Sequence, residues 1–251
     1  MGASPWGFES LQPHRTVSAA LELAAAGANA TDISRQLRVP RRTVADWLKG
    51  TLPRSIHQEA DCATHVERLG AEYVYLLGLD LGDGCISLHR RGVYRLRLAL
   101  DAKYPGIIDS AARAISAVCP GRVLKQLRPQ NCVEVSSYWK CWPCVFPQHG
   151  AGKKHNRTIE LADWQSVLVD HSAEQLLRGL IHSDGCRFQN TGRNWSWPRY
   201  SFMQVSDDIR RIFCDTCDLI GVGRTASGKH IIYVSRKADV ARLDELIGPK
   251  A

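Results

Sequence analysis

Asp83 and Asp184 are the side chains of this 251-residue chain whose setting points most directly to chemistry. Each closes one copy of a short phrase. The first copy reads Leu76-Leu77-Gly78-Leu79-Asp80-Leu81-Gly82-Asp83-Gly84-Cys85. The second reads Leu177-Arg178-Gly179-Leu180-Ile181-His182-Ser183-Asp184-Gly185-Cys186. The offset between copies is 101 residues, about the size of one small domain. Each copy reads as an apolar helix with small residues four apart, Gly78 with Gly82 and Gly179 with Ser183, which share one helix face. Small faces let two helix backbones approach closely. Each helix is expected to stop at its terminal Gly in a C-terminal turn. Packed together, the two helices would set Asp83 and Asp184 side by side at the foot of a pseudo-twofold interface. Two adjacent carboxylates repel each other, and they suit a divalent metal such as Mg²⁺.

The elements that must position these aspartates also repeat. After the first phrase, hydrophobic patterning predicts strands over 85–88 and 93–100, a helix over 107–118, and strands over 122–127 and 132–139. After the second it predicts a strand over 186–189, a loop through Gly192 and a strand over 200–205. A helix over 208–219, strands over 222–225 and 230–235 and a helix over 239–247 complete the chain. The order α-β-β-α-β-β therefore occurs twice.

The two phrases and this order resemble the LAGLIDADG homing endonuclease family in its two-motif, single-chain form, across roughly 70–248. Asp80 and Leu81 in the first copy, and His182 in the second, depart from the motif. The resemblance implies an α+β fold in which a pseudo-twofold pair of αββαββ units forms a DNA-binding saddle, with halves at 70–165 and 166–251. It implies metal-binding catalytic residues at Asp83 and Asp184, each site cutting one strand of double-stranded DNA with Mg²⁺. It also places a lysine after the fourth strand of each half, which points to Lys153 or Lys154 within 139–157. In the second half only Lys250 remains, so that site is expected to be the poorer one, leaving room for a nickase or a protein without cleavage. A saddle needs strands that alternate buried and groove-facing residues. Arg95 and Arg97 alternate with Leu96, Leu98 and Leu100 in this way. Lys125 and Arg128 extend the surface in the first half. Arg187, Gln189, Arg193, Arg199, Gln204, Arg224 and Lys229 are the candidates in the second.

Before the repeat lies a small all-α unit over 15–52, preceded by a loose tail over 1–14 and followed by a linker over 53–69. Val17, Ala20, Leu21 and Ala24 fall at helical spacing up to Gly27. Thr31 is the expected N-cap of a second helix over 32–37. Arg38-Val39-Pro40 makes a turn, and Pro40 opens a third helix that stops at Gly50. This phrasing resembles the helix-turn-helix units of resolvases and small bacterial repressors. Ile33, Leu37, Val39, Val44, Trp47 and Leu48 would form its core. Arg41, Arg42, Thr43, Asp46 and Lys49 would form the exposed face of the third helix, with Arg41, Arg42, Thr43 and Lys49 as the DNA contacts.

Composition agrees with a polyanionic partner. The formal net charge is +8 and the pI about 9.1, with 44% hydrophobic residues. A basic balance favours nucleic acid. No apolar stretch approaches the roughly 20 residues of a membrane span. Met1–Arg15 lacks a basic start followed by an apolar run, so a cytoplasmic, nucleoid-associated monomer with internal pseudo-symmetry is expected. The nine cysteines then read as free thiols. Cys141-Trp142-Pro143-Cys144 and Cys214-Asp215-Thr216-Cys217 are both CxxC, but 69 residues separate them, far from the usual 15–20 of a zinc ribbon. Cys144 with His149 and His155 is another ligand set, and structural zinc is the lesser reading beside Mg²⁺. A chain beginning Met-Gly and ending Pro-Lys-Ala lacks the terminal residues of self-splicing. The main alternative to an endonuclease is a non-cutting DNA-binding transcriptional regulator on the same scaffold. A maturase that binds intron RNA is the third reading.

Overall fold

The computed structural model of the protein describes residues 12–51, 65–119 and 121–248. Residues 1–11 of the expected tail, most of the expected linker and Lys250 lie outside the described residues, and 12–14, expected in the tail, are helical. The chain divides into two compact units, Met1–Glu67 and Arg68–Ala251.

The first unit holds α1 (Gln12–Ala25), α2 (Ala30–Leu37) and α3 (Arg41–Leu48). Asn29, not Thr31, caps α2. Its side-chain oxygen accepts from the Thr31 and Asp32 amides at 2.9 and 3.1 Å, satisfying donors that have no partner within the helix. Arg38 takes a left-handed conformation, φ 54°, and Pro40 turns the chain into α3. Val17, Ala20, Ile33, Val44 and Trp47 form the buried core, with Leu37 and Val39 partly covered. Leu48, expected in that core, ends α3 and is 37% exposed.

The second unit repeats one pattern. The first half runs α4 (Ala71–Asp83), β1 (Gly84–Leu88), β2 (Tyr94–Asp101), α5 (Pro105–Val118), β3 (Val123–Arg128) and β4 (Cys132–Trp139). A short helix α6 (Trp142–Val145) and a connecting segment lead to the second half. That half runs α7 (Asp163–Asp184), β5 (Gly185–Gly192), β6 (Trp195–Met203), α8 (Asp207–Leu219), β7 (Thr225–Ser227), β8 (Ile231–Val234) and α9 (Lys237–Ile247). The antiparallel sheets have matching orders, β1-β2-β4-β3 and β5-β6-β8-β7. This is the expected α+β pair of αββαββ units.

Hydrophobic burial explains the layering. Every residue of α4 from Tyr73 to Leu81 is buried, as expected of a helix covered on all sides. Leu96, Leu98 and Leu100 of β2, and Tyr200 and Phe202 of β6, turn inward. The ring of Phe202 stacks on that of Phe213 in α8 at 4.2 Å. Strand β6 begins at Trp195, earlier than the expected start at 200. Pro198 reads as a strand breaker, yet the β6–β8 ladder ends at the Tyr200–Val234 pair. Beyond that point the proline costs no ladder bond to β8.

Candidate functional site

The phrase helices α4 and α7 touch backbone to backbone. A β-carbon built on Gly78 would lie 2.5 Å from the Leu176 carbonyl oxygen, 2.8 Å from the Leu180 nitrogen and 2.9 Å from the Gly179 α-carbon. One built on Gly179 would meet Tyr75 O at 2.3 Å, Leu79 N at 3.0 Å and Gly78 Cα at 2.9 Å. These are the same three contacts exchanged between copies. Equivalent residues meet at successive turns, so the helices run parallel, and their C-termini adjoin. A β-carbon on Gly82 would lie 2.8 Å from Asp184 Oδ2. The carboxylate of Asp184 is therefore seated on the small face of α4, one residue from Asp83. Both aspartates are half-buried.

The terminal glycines do not form the left-handed turns expected of them. Gly84 and Gly185 are extended, with φ −82° and −96°. Their role is close approach. A β-carbon on Gly84 would fall 2.4 Å from Asp80 Cα, and one on Gly185 would fall 2.6 Å from Ile181 Cα. Each helix passes directly into its strand over its own last turn, which only a residue without a side chain permits.

The two helix ends are dressed differently. Lys154 Nζ donates to the Asp80, Gly82 and Gly84 carbonyls, the last at 2.7 Å. A cation there satisfies the last carbonyls of α4 and complements its dipole. Lys153 is exposed beside it. In the second half, Gln204 Nε2 donates to Asp184 Oδ2 at 2.7 Å, and Arg210 binds the Gln204 carbonyl at 2.6 Å. Gln204, a candidate DNA contact in the sequence, is thus an orienting partner of Asp184. No sequence spacing marks that role, because it depends on where β6 ends relative to α7.

The motif departures face inward. Asp80 is 4% exposed, and its Oδ1 has no hydrogen-bond partner among the described residues. Burial raises its pKa, against the pull of Lys154, His149 and Arg157. His182 is buried, and its Nδ1 lies 2.9 Å from the Tyr75 hydroxyl on the opposite helix.

Strand register sorts the basic candidates by face. Arg95, Arg97 and Arg128 lie opposite the buried leucines, on the open face of the first sheet with Glu134, Ser136 and Tyr138. Arg95 and Arg128 share Glu134, at 2.5 and 3.0 Å. Lys125 is on the other face, paired with Asp109 of α5 at 2.5 Å. In the second sheet Arg199 is on the open face. Arg187 and Gln189 are on the helix-side face, and Arg187 makes a two-pronged bond to Asp244 of α9 at 2.6 and 2.8 Å. Arg224 likewise grips Asp218 of α8 at 2.5 and 2.7 Å. Arg193 and Lys229 are exposed at strand connections. In the first unit Arg41, Arg42 and Lys49 are exposed and Thr43 is half-buried. Lys125, Arg187, Arg224 and Gln204 are therefore engaged within the protein, each by an acid on a neighbouring element that composition alone does not pair with it.

Among the described residues no group of three or more His, Cys, Asp or Glu side chains could hold a metal ion. The zinc sets do not assemble. Cys214 and Cys217 lie on one helix, α8. Cys85, Cys119, Cys132, Cys186, Cys214 and Cys217 are free. No helix among the described residues is long and apolar enough to cross a membrane.

Residues 14–51 match the model of a homeodomain-like domain. No curated protein matches the chain by sequence. Solved structures do resemble it in fold. The homing endonuclease I-WcaI bound to its DNA recognition sequence is 13% identical, covering 73% of this chain and 83% of its own, with a TM-score of 0.47. The N-terminal LAGLIDADG domain of DUF199/WhiA is 13% identical over 72% of this chain and 86% of its own, TM-score 0.42. A variant of I-DmoI in complex with its nicked target DNA is 12% identical over 71% and 96%, TM-score 0.48. The structural neighbours of this chain are thus LAGLIDADG proteins of both kinds, endonucleases and the WhiA domain.

Proposed function

We propose that the protein binds a specific stretch of double-stranded DNA on its two sheets and cuts the phosphodiester backbone at the paired ends of α4 and α7. The observation that carries this reading is the exchange of identical backbone contacts between Gly78 and Gly179, which brings Asp83 and Asp184 to one place. A rigid helix pair holds two carboxylates where the strands of a duplex, related by their own twofold, would present two phosphates. Arg95, Arg97, Arg128 and Arg199 supply positive charge on the open faces, and the helix-turn-helix adds affinity for flanking DNA. The donor set fits Mg²⁺, which is commonly held by one or two carboxylates with water and substrate phosphate completing its shell. Asp83 and Asp184 would hold it. When bound, the cation lowers the pKa of the attacking water and stabilises charge on the leaving oxygen. Gln204 fixes the orientation of the Asp184 carboxylate, and Lys154 keeps the end of α4 closed.

The test is cleavage of DNA already selected for binding. Genomic fragments are captured on the protein in calcium, magnesium is added, and new ends are mapped by sequencing. A staggered double cut at one site is the expected result, and D83N or D184N should lose it while keeping capture. Undiminished cutting by either variant overturns the assignment. A second reading, a non-cutting regulator, draws on Lys154 and Gln204, whose polar groups are engaged by backbone carbonyls and by Asp184. Specific capture with no new ends selects that reading.

A further inference from the structure

The end of the β5–β6 hairpin carries an exposed aromatic feature. Tyr200 and Phe202 of β6 turn inward, so Trp195, Trp197 and Arg199 stand on the opposite, open face. Register places Asn190 directly across from Trp197, and Gly192 across from Trp195. Residues so paired lie side by side. The ladder to β8 has ended at Tyr200, so this part of the hairpin extends beyond the four-stranded sheet. Trp195 and Trp197 are 46% and 56% exposed, a large apolar investment on a surface.

The Trp195 indole is placed rather than loose. A β-carbon on Gly192 would fall 2.3 Å from the Trp195 ring, so the ring lies flat against a residue that has none. Arg199 is fixed by its Nε bond to Ser235 Oγ at 2.7 Å and by stacking on the Tyr233 ring at 4.0 Å. Between these groups lies a cleft of about 360 Å³, lined by Asn190, Trp195, Trp197, Pro198, Arg199 and Ser235. Its lining has two aromatic faces, an amide, a guanidinium and a hydroxyl, and it has no carboxylate.

We propose that this cleft binds an unpaired nucleobase, stacked on Trp197 and read along its edge by the Asn190 amide. The size suits a single planar guest. Aromatic faces need the face of a base, which a duplex hides within its own stack and offers only when a strand is single or a base is turned out. An Asn amide can both donate to and accept from a base edge. Arg199, in a chain of net charge +8, complements the phosphate beside that base. The proposal rests on the nucleic-acid reading above, but not on duplex recognition or on cleavage.

The test uses the full chain and labelled oligonucleotides of one sequence at fixed salt. The probes are single-stranded DNA, single-stranded RNA, a fully paired DNA duplex and the same duplex with one unpaired base. Fluorescence anisotropy gives each affinity. Trp197→Ala should weaken binding to the probes with unpaired bases by about 5- to 150-fold, the range for loss of one base–aromatic stack. It should change the paired duplex less than about twofold, and Trp197→Phe should restore most of the loss. Circular dichroism checks that the variants keep the wild-type fold. Asn190→Ala should shift the preference among the four bases at the unpaired position. No loss with Trp197→Ala, an equal loss on every probe, or no wild-type binding to any unpaired base overturns the proposal. The common sequence is one captured in the calcium experiment, so the paired duplex reports separately on the proposed function: wild-type failure on that probe rejects duplex recognition and leaves the cleft intact. The DNA and RNA arms identify which strand the cleft takes.

Discussion

The two sheets share strand order and register but present different chemistry on their open faces. The first carries Arg95, Arg97 and Arg128 around Glu134, with Tyr138 beneath the Arg95 guanidinium at 5.3 Å. The second carries Phe188, Trp195, Trp197 and Tyr233, with Arg199 among them. One face is an ionic surface suited to phosphates and base edges; the other is aromatic and suited to base faces. The helix ends differ in the same way. A lysine closes α4, whereas a glutamine orients the aspartate of α7. A backbone duplicated in this way fixes where two sites lie, while the side chains decide separately what each does.

The comparison holds only if the helix pair is a true backbone contact shared by both halves. Gly78→Val and Gly179→Val should therefore each destabilise the second unit by more than about 3 kcal/mol, because a side chain would be driven into a carbonyl of the opposite helix. Urea unfolding measures this, and a loss below about 1 kcal/mol in either variant would break the symmetry. The asymmetry at the helix ends is sharpened by Gln204→Ala. It should slow cutting of one strand about 10- to 100-fold, as loss of a group that orients a metal ligand does, and leave nicked circles as the accumulating product on a plasmid.

Asp80, where the second half has Ile181, gives a pH test. Its folded-state pKa is raised by burial, so its protonated form favours the fold. That stability is fully present below the unfolded value and is lost as pH rises through the folded one. Asp80→Asn should match wild type below about pH 4 and be more stable above it, by about 1–3 kcal/mol, the cost of an unsatisfied buried polar group. Unfolding midpoints across pH 3–8 that stay parallel would contradict the burial argument. The smallest effect is expected on the ionic face. Arg97→Ala should lower the slope of log affinity for duplex DNA against log salt by about one unit, whereas Trp197→Ala should leave that slope unchanged.

Much of this was legible in the residues. Two copies of one phrase, with Gly78 and Gly179 at matched places, predict a parallel helix pair, because small residues four apart have one obvious use on an apolar helix. The alternation in 93–100 gives a strand and its two faces, since a strand has period two. The helix-turn-helix follows from its helical spacing and from Pro40, although Asn29 and not Thr31 proves to be the cap. The sequence also puts Asp83 and Asp184 at equivalent ends of that helix pair. It misleads where an assignment depends on a second element. Gly84 and Gly185 look like left-handed caps, and only the path from helix to strand shows that they relieve a close approach. Lys125, Arg187 and Arg224 look available for DNA, but α5, α9 and α8 bring Asp109, Asp244 and Asp218 to them. Trp195 and Trp197 read as a loop because Pro198 hides a strand. Local sequence by itself determined most of the helices and strands and the pairing of the two phrase helices, because periodicity and backbone fit are properties of neighbours in the chain. Tertiary structure alone decided which charges remain open to a ligand, what orients each aspartate and where the cleft lies. Those depend on the meeting of residues tens of positions apart, and no local period records such meetings.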